Sequence, residues 1–264
     1  FMPTHYAHIV FGRKVLQALP EDLAKKVSAD QAAFYVGLHG PDPLFYYHPL
    51  TPNAVSRLGN AIHDEPGIVF FEKARSVMHT MATPSRRSYL AGFLCHYMLD
   101  SRCHPYIDGH PSLSHHLIET ELDRALMEKE RLTPGVFDPL QHIQPSRSLG
   151  LVIEPFYPGT TARQWQTCLS SMKKICRVLS NPSAPLQGIL LGGMRLGGLY
   201  DKFHGLILRP QPYPACLETS RVLMELLEGE VAETASQIAL FLEALDNGDA
   251  FSSRLNLTFG GDAL

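Results

Sequence analysis

Apolar residues recur at every third or fourth position along most of the chain, and no segment alternates between apolar and polar residues as a strand would. Side chains at that spacing share one face of an α-helix. We therefore predict an all-α fold, a bundle of many helices whose first member is capped by Thr4. The expected helices cover residues 4–19, 21–36, 53–62, 68–81, 84–100, 115–130, 161–179, 185–208 and 216–245.

Prolines and glycines interrupt this pattern in two places. Residues 37–52 hold four prolines and two glycines but also four consecutive large apolar residues, 44–47, which predicts a loop packed against the protein. Five prolines between residues 132 and 158 predict a crossover. We expect a helical core in residues 1–131, a proline-rich crossover in 132–160, and C-terminal helices in 161–264 that pack on the core within one domain.

Six glycines between residues 188 and 205 recur at close to four-residue spacing. A phosphate-binding loop would need a preceding strand and a following lysine, and this segment has neither. The glycines therefore indicate helices that approach one another closely.

The amino-acid composition limits the binding partners and the cellular compartment that we expect for this protein. The chain has 23 Lys and Arg against 26 Asp and Glu, and this charge of −3 gives no general attraction to nucleic acid or acidic membranes. All apolar stretches fall short of the roughly 20 residues of a membrane-spanning helix. The five cysteines show no CxxC spacing, which predicts reduced core cysteines. We expect a cytoplasmic protein, with a secreted one as the alternative if a leader has been removed.

Histidine is distributed very unevenly. Eleven of the 13 histidines lie within the first 116 residues. Surface histidines would be spread evenly, whereas a transition-metal site concentrates them, because neutral imidazole is a preferred nitrogen ligand. We expect His5, His48 and His79 at the surface.

Two helical motifs pair a histidine with a carboxylate four residues later. His96 and Asp100 share one helical face, which includes His104 if the helix lasts another turn, and the next helix carries His115 and Glu119. A single pair of this kind is equally well explained by a buried histidine beside a surface carboxylate. Both pairs within 24 residues, with further candidate ligands at Asp42 and His63 upstream, predict a metal-binding core.

These residues resemble the zinc-dependent phospholipase C family, which is related in fold to the fungal single-strand-specific zinc nucleases. The resemblance rests on MPTHYAH, GLHGPD, His63, AGFLCHYMLD and SHHLIETELD, spans about residues 2–130, and is greatest to a short bacterial branch of the family. It implies an all-α domain that holds zinc ions and cleaves phosphodiester bonds, here with extra C-terminal helices.

The resemblance also implies the ligands. Asp42, His63, His96 and Asp100 resemble those of one zinc, and His104, His115 and Glu119 those of a second; His8 and Asp100 resemble ligands of a third. His39 and His110 are expected to contact the ligands or a phosphate.

Two departures from the family pattern concern individual sites. Secreted relatives also use an amino-terminal tryptophan at the third zinc, but the only tryptophan here is Trp165, so two or three zinc ions are expected. His104 precedes Pro105 instead of following a proline, so His104 is the ligand that departs from the family pattern and His110 is the alternative to it.

The expected function is hydrolysis of a phospholipid head group or another small phosphodiester by a metal-bound hydroxide, with Asp42 orienting or deprotonating the water. Phe45, Tyr46 and Tyr47 offer an apolar rim or a stacking platform, or simply anchor their loop. One alternative is a nuclease or a nucleotide phosphohydrolase that uses the pair His63-Asp64, which would require Asp64 as a ligand. Another is a non-catalytic scaffold with a structural or degenerate metal site. The sequence does not indicate an oligomeric state.

Overall fold

A computed structural model describes residues 5–180 and 183–263, apart from the side chains of Ala184 and Lys202. Within these residues the chain is helical, and only two isolated β-bridges are formed. The fold class is all-α, as predicted, while the predicted cap Thr4 lies outside the described residues. The helices are α1 (Tyr6–Ala18), α2 (Glu21–Val27), α3 (Gln31–Gly37), α4 (Ala54–Asp64), α5 (Gly67–Met81), α6 (Pro84–Asp108), α7 (His115–Lys129), α8 (Arg147–Ile153), α9 (Ala162–Leu179), α10 (Ala184–Leu196), α11 (Tyr200–Phe203) and α12 (Leu217–Asn247).

Short 3-10 helices connect several of these elements. The first, Asp42–Tyr46, lies in the loop predicted for residues 37–52. Residues 38–46 of this loop are all buried, as expected for a loop packed against the protein. The others are Glu154–Phe156, His204–Leu206, Pro214–Cys216 and Ser253–Asn256. None of the described helices combines the length and the apolar character needed to cross a membrane.

Helix α6 is the centre of the structure. Every residue from Ser88 to Ser101 is buried, so the helix is covered by protein on all sides. Thr83 caps its first turn by accepting a hydrogen bond from the Arg86 amide, and Pro84 occupies the first helical position, where no N–H is needed. The helix continues eight residues beyond the predicted end at residue 100 and so includes His104.

Helices from the C-terminal half pack on this core. Phe241 of α12 contacts Phe71 of α5 with ring centroids 5.1 Å apart, and Trp165 of α9 is fully buried against Tyr157 at 4.6 Å. All five cysteines are buried and none forms a disulfide, which agrees with the prediction from their spacing.

The prediction of close helix packing through the glycines of residues 188–198 is wrong. A side-chain carbon added at Gly188, Gly192, Gly193 or Gly198 would meet no other atom within 4 Å. The predicted helix 185–208 also ends early, because the chain turns after Leu196 with Gly198 at φ = +68°. Glycine spacing permits close packing but does not supply a partner, and no described atom lies close enough to these four glycines to touch an added side-chain carbon.

The closest helix approach involves a different glycine. Helix α3 crosses α6 at Gly92, where a side-chain carbon would collide with the carbonyl oxygen of Phe34 and lie 3.0 Å from Gly37. Both neighbouring atoms belong to the backbone and cannot move aside alone. The absence of a side chain at Gly92 therefore sets the distance between α3 and α6.

This contact gives a stability prediction with a matched control. We expect Gly92→Ala to lower the free energy of unfolding by about 2–4 kcal/mol, because the helices must separate to admit the methyl group. Gly229→Ala in α12, where a side-chain carbon would meet nothing within 4 Å, should be neutral or stabilise by up to about 1 kcal/mol. Urea unfolding followed by circular dichroism measures both, and equal effects of the two variants would contradict the crossing.

Candidate metal centre

Helix α6 presents three potential ligands in one row. His96, Asp100 and His104 lie four residues apart, so their side chains follow each other along one face. His96 Nε2 lies 3.1 Å from Asp100 Oδ2, and His104 Nε2 lies 3.8 Å from Asp100 Oδ1. All three side chains are buried, which places a carboxylate between two imidazoles in the interior.

Helix α1 brings His8 to the same carboxylate. Its Nε2 lies 3.3 Å from Asp100 Oδ1, and its ring stacks on His96 with centroids 4.5 Å apart. His8, His96 and Asp100 form one group whose ligand atoms lie within 4.8 Å of each other.

The start of α1 is held by a residue that the sequence analysis did not identify. Asp123 of α7 accepts hydrogen bonds from the backbone amides of His5 and Tyr6 at 2.9 and 3.0 Å and of Ala7 at 2.7 Å. Those amides have no partner within the helix, so Asp123 caps α1 from another element. Asp123 therefore fixes the position from which His8 extends.

A second group joins Asp42, His63 and His96. Asp42 is fully buried, and its Oδ1 lies 3.2 Å from His63 Nε2. Gly40, at φ = +50°, passes so close to the His96 ring that any side chain there would overlap the ring. The GLHGPD segment thus wraps the backbone around His96 and places Asp42 beside it.

The third group joins His104, His115 and Glu119. His115 Nε2 lies 3.2 Å from Glu119 Oε1, and His104 Nε2 lies 3.7 Å from the same oxygen. The other ring nitrogen of His115 hydrogen-bonds to Asp108 Oδ1 at 3.0 Å. Asp108, also missed by the sequence analysis, orients the His115 ring in the way that carboxylates orient metal-binding histidines.

The facing atoms in these groups are suited to a cation between them. His63 donates Nδ1–H to the Gly59 carbonyl at 2.8 Å, so its Nε2 carries a lone pair that points towards Asp42. Neither His63 Nε2 nor the two Asp42 oxygens form a hydrogen bond, and the same holds for His96 Nε2 and Asp100 Oδ2. Buried lone pairs that face each other need a proton or a metal ion between them. The donors are imidazoles and carboxylates, which suit zinc.

Without a metal, these contacts perturb the ionisation of the groups. Burial lowers the pKa of His8 and of His63, but the charges of Asp100 and Asp42 outweigh it and raise both pKa values. Burial opposes ionisation of Asp100, yet His96 and neighbouring histidines hold its pKa well below the usual range. The ion-pair contacts therefore favour the protonated rings of His8 and His63 and the ionised carboxylate of Asp100.

The two histidines predicted to contact the ligands or a phosphate, His39 and His110, form hydrogen bonds with other residues. His39 is buried with its Nε2 3.1 Å from His142 Nε2, and the two rings stack. His110 donates a hydrogen bond to the Tyr106 carbonyl at 2.8 Å. Among the described residues, His110 belongs to none of the three candidate metal-binding groups, whereas His104 belongs to the third. Asp64 is exposed and also lies outside the groups.

The expectation for the surface histidines was partly wrong. His48 and His79 are exposed, but His5 is only 3% exposed. Its Nε2 lies 3.0 Å from the Tyr46 hydroxyl and 3.1 Å from Cys176 Sγ. Burial lowers the pKa of His5 to about 4, so this ring is a neutral member of the core.

An open cleft of about 480 Å³ leads to the groups. Three candidate ligands, His63, His104 and His115, line it. The remaining lining residues are Phe45, Asn60, Asp64, His116, Thr258, Phe259, Gly260 and Asp262. The volume falls within the range of small-molecule sites.

One wall of this cleft comes from the end of the chain, residues 257–263, which we call the C-terminal turn. The Tyr97 hydroxyl and the Gly67 amide both donate to the Leu257 carbonyl, at 2.9 Å each. Phe259 then packs on His63 at 5.0 Å and on His96 at 5.9 Å between ring centroids. No local pattern predicts a contact over this sequence separation.

Comparison with known proteins was made by family, by curated protein and by solved structure. The sequence model of the zinc-dependent phospholipase C family matches residues 7–159, which include all eight candidate ligands but not the C-terminal turn. No curated protein and no solved structure matched. Because the family match covers more than half of the chain, and the predicted residues converge in a fold of the predicted class, the chain belongs to the zinc-dependent phospholipase C family.

Proposed function

We propose that this zinc-dependent hydrolase cleaves the phosphodiester of a phospholipid head group or of another small diester in the cleft above the three groups. The observation that carries the proposal is that three adjoining groups of carboxylates and imidazoles lie next to an open cleft, which His63, His104 and His115 line. Two or three zinc ions would be held by His8, Asp42, His63, His96, Asp100, His104, His115 and Glu119. Bound zinc supplies Lewis acidity to a phosphoryl group and makes a water acidic enough to react near neutral pH.

The surrounding residues keep the ligands in their reactive form. Hydrogen bonds to the Gly59 carbonyl and to Asp108 hold the Nδ1 protons of His63 and His115, so that Nε2 of each ring faces the site. Such support fixes both the tautomer and the direction of the ring. Phe259 packs on two of the imidazoles, those of His63 and His96.

Asp42 has a second role in this proposal. Its Oδ1 faces His63, and its Oδ2 accepts no hydrogen bond although it is buried. We propose that Oδ2 orients the attacking water or accepts its proton. A carboxylate within hydrogen-bonding reach of the attacking group is the geometry that general base catalysis needs.

The cleft favours a small or lipid-derived diester over a nucleic acid. Among the three aromatic residues 45–47, only Phe45 lines the cleft; Tyr46 is buried and Tyr47 packs beside His48. Asp64 and Asp262 add carboxylates to the cleft lining and would repel a polyphosphate backbone.

A structural zinc site is less consistent with these residues. Structural sites are closed by four protein ligands, often thiolates. Burial raises the pKa of Cys95 and Cys103, and neither belongs to a candidate group in the described chain.

Two aspartate variants test the ligand set. Asp100→Asn should lose zinc and reduce hydrolysis of a chromogenic phosphodiester by more than about 100-fold, since loss of a supporting residue alone costs 10–100-fold. Asp64→Asn should keep its zinc, whereas the nucleotide phosphohydrolase alternative requires Asp64 as a ligand. Elemental analysis of both purified variants gives the zinc content. Full zinc and full activity in Asp100→Asn would contradict the proposal.

Zinc binding should also release protons in a pH-dependent way. In the metal-free protein, burial lowers the pKa of His115, but Glu119 and Asp108 raise it to about 9 from 6.5. The stabilisation of the folded protein by protonated His115 beside Glu119 and Asp108 is complete below about pH 6.5 and is lost as the pH rises through about 9. Zinc binds the neutral His115 ring. At about pH 7.5 this ring is mostly protonated, so zinc binding releases its proton, whereas at about pH 10 the ring is mostly neutral before zinc binds and fewer protons are released.

Calorimetry in buffers with different ionisation enthalpies counts the released protons. We expect zinc binding to release more protons at about pH 7.5 than at about pH 10. His115→Gln should reduce this difference between the two pH values. Equal proton release at both pH values would show that the ring does not bind zinc as proposed.

A further inference from the structure

We propose that residues 183–207, which we call the apolar arm, dock the protein onto a lipid surface beside the metal cleft. The arm comprises α10, α11 and the 3-10 helix His204–Leu206. The inference rests on the proposed function in one respect, since it assumes that the substrate is a phospholipid.

The arm exposes apolar side chains that no other described part of the chain covers. None of the described side chains of α10 is buried, and Leu196 and Ile189 are 94% and 70% exposed. Leu199, just after the helix, is 49% exposed. Large apolar side chains grouped in this way on a protein surface mark an interaction site.

The distribution of charge fits lipid. The apolar arm carries two basic residues, Arg195 and Lys202, and one acidic residue, Asp201, and the single charge within α10 itself is that of Arg195. At about 100° per residue, the exposed Pro185, Ile189 and Leu196 share one face of α10, and Arg195 lies beside that face, about 100° from its middle. A helix with an apolar face and a cation at its side is suited to the boundary between acyl chains and head groups.

The dimensions of α10 favour a lipid surface over a second copy of the chain. Thirteen residues make a helix roughly 20 Å long, shorter than the roughly 30 Å hydrocarbon core, so the helix would lie within the interface. One face about 10 Å wide covers roughly 200 Å², well below the roughly 800 Å² that each partner buries in a stable dimer.

The base of the arm lies at the edge of the cleft. A side-chain carbon at Gly205 would lie 2.5 Å from the Leu117 amide nitrogen, so the arm packs directly against the first turn of α7. The preceding residues His115 and His116 line the cleft. The Leu208 amide donates to the Leu179 carbonyl at 3.1 Å and closes the arm onto the body. A lipid surface that holds the arm would thus also be close to the cleft.

Vesicle sedimentation tests this inference with a matched pair of double variants. The probe is a vesicle of phosphatidylcholine with about one-fifth phosphatidylglycerol, incubated with full-length protein and a chelator, so that no hydrolysis occurs. The test variant is Ile189→Asp with Leu196→Asp. The control is Leu151→Asp with Leu240→Asp, two leucines outside the arm that are 49% and 47% exposed.

We expect the unchanged protein and the control to sediment with the vesicles, and the arm variant to bind at least about tenfold more weakly, because two apolar anchors become charged. Zinc-loaded arm variant should hydrolyse a soluble phosphodiester at the normal rate. The inference is overturned if the unchanged protein stays in solution, if the control loses binding equally, or if light scattering shows a dimer that the arm variant alone dissociates. Vesicle binding by a zinc-loaded protein that hydrolyses no phosphodiester would support the arm and contradict the proposed function.

Discussion

The buried negative charge of Asp100 is the constraint around which this structure is organised. Its carboxylate faces imidazoles from two helices, and Asp42 and Glu119 place two more carboxylates in the neighbouring groups. Burying such charges is very unfavourable unless cations or protons compensate them. The neighbouring carboxylates raise the pKa values of His8, His63 and His104 and so favour compensating protons on these rings, and in the zinc-loaded protein we propose that the metal takes the place of those protons.

The rest of the fold supports this centre through long-range contacts. Gly92 lets α3 approach α6, and Asp123 anchors the beginning of α1, which carries His8. The C-terminal turn, outside the region matched by the family, places Phe259 on two of the imidazoles. The family region thus contains the candidate ligands, and the C-terminal part of this chain completes their surroundings.

Helical periodicity predicted the helical class, and the His-x3-carboxylate spacing identified the pairs on α6 and α7, because both are local properties. His8 and the assignment of ligands to individual zinc ions came from the resemblance to the family. The same analysis ended α6 too early, because it could not show that the helix continues through Pro105 and retains His104. Asp123 and Phe259 were missed because their roles depend on residues more than 100 positions away. The glycines of α10 were misinterpreted because their spacing does not reveal whether a partner helix is present.

The most direct test of the metal centre is an anomalous difference map, measured at the zinc absorption edge on a crystal of protein purified without chelator. The account predicts two or three peaks, each about 2.0–2.2 Å from nitrogen or oxygen atoms of the three groups, with Asp100 contacting at least one peak. A map with no peak at Asp100 and His96, from protein that does hydrolyse phosphodiesters, would contradict the account.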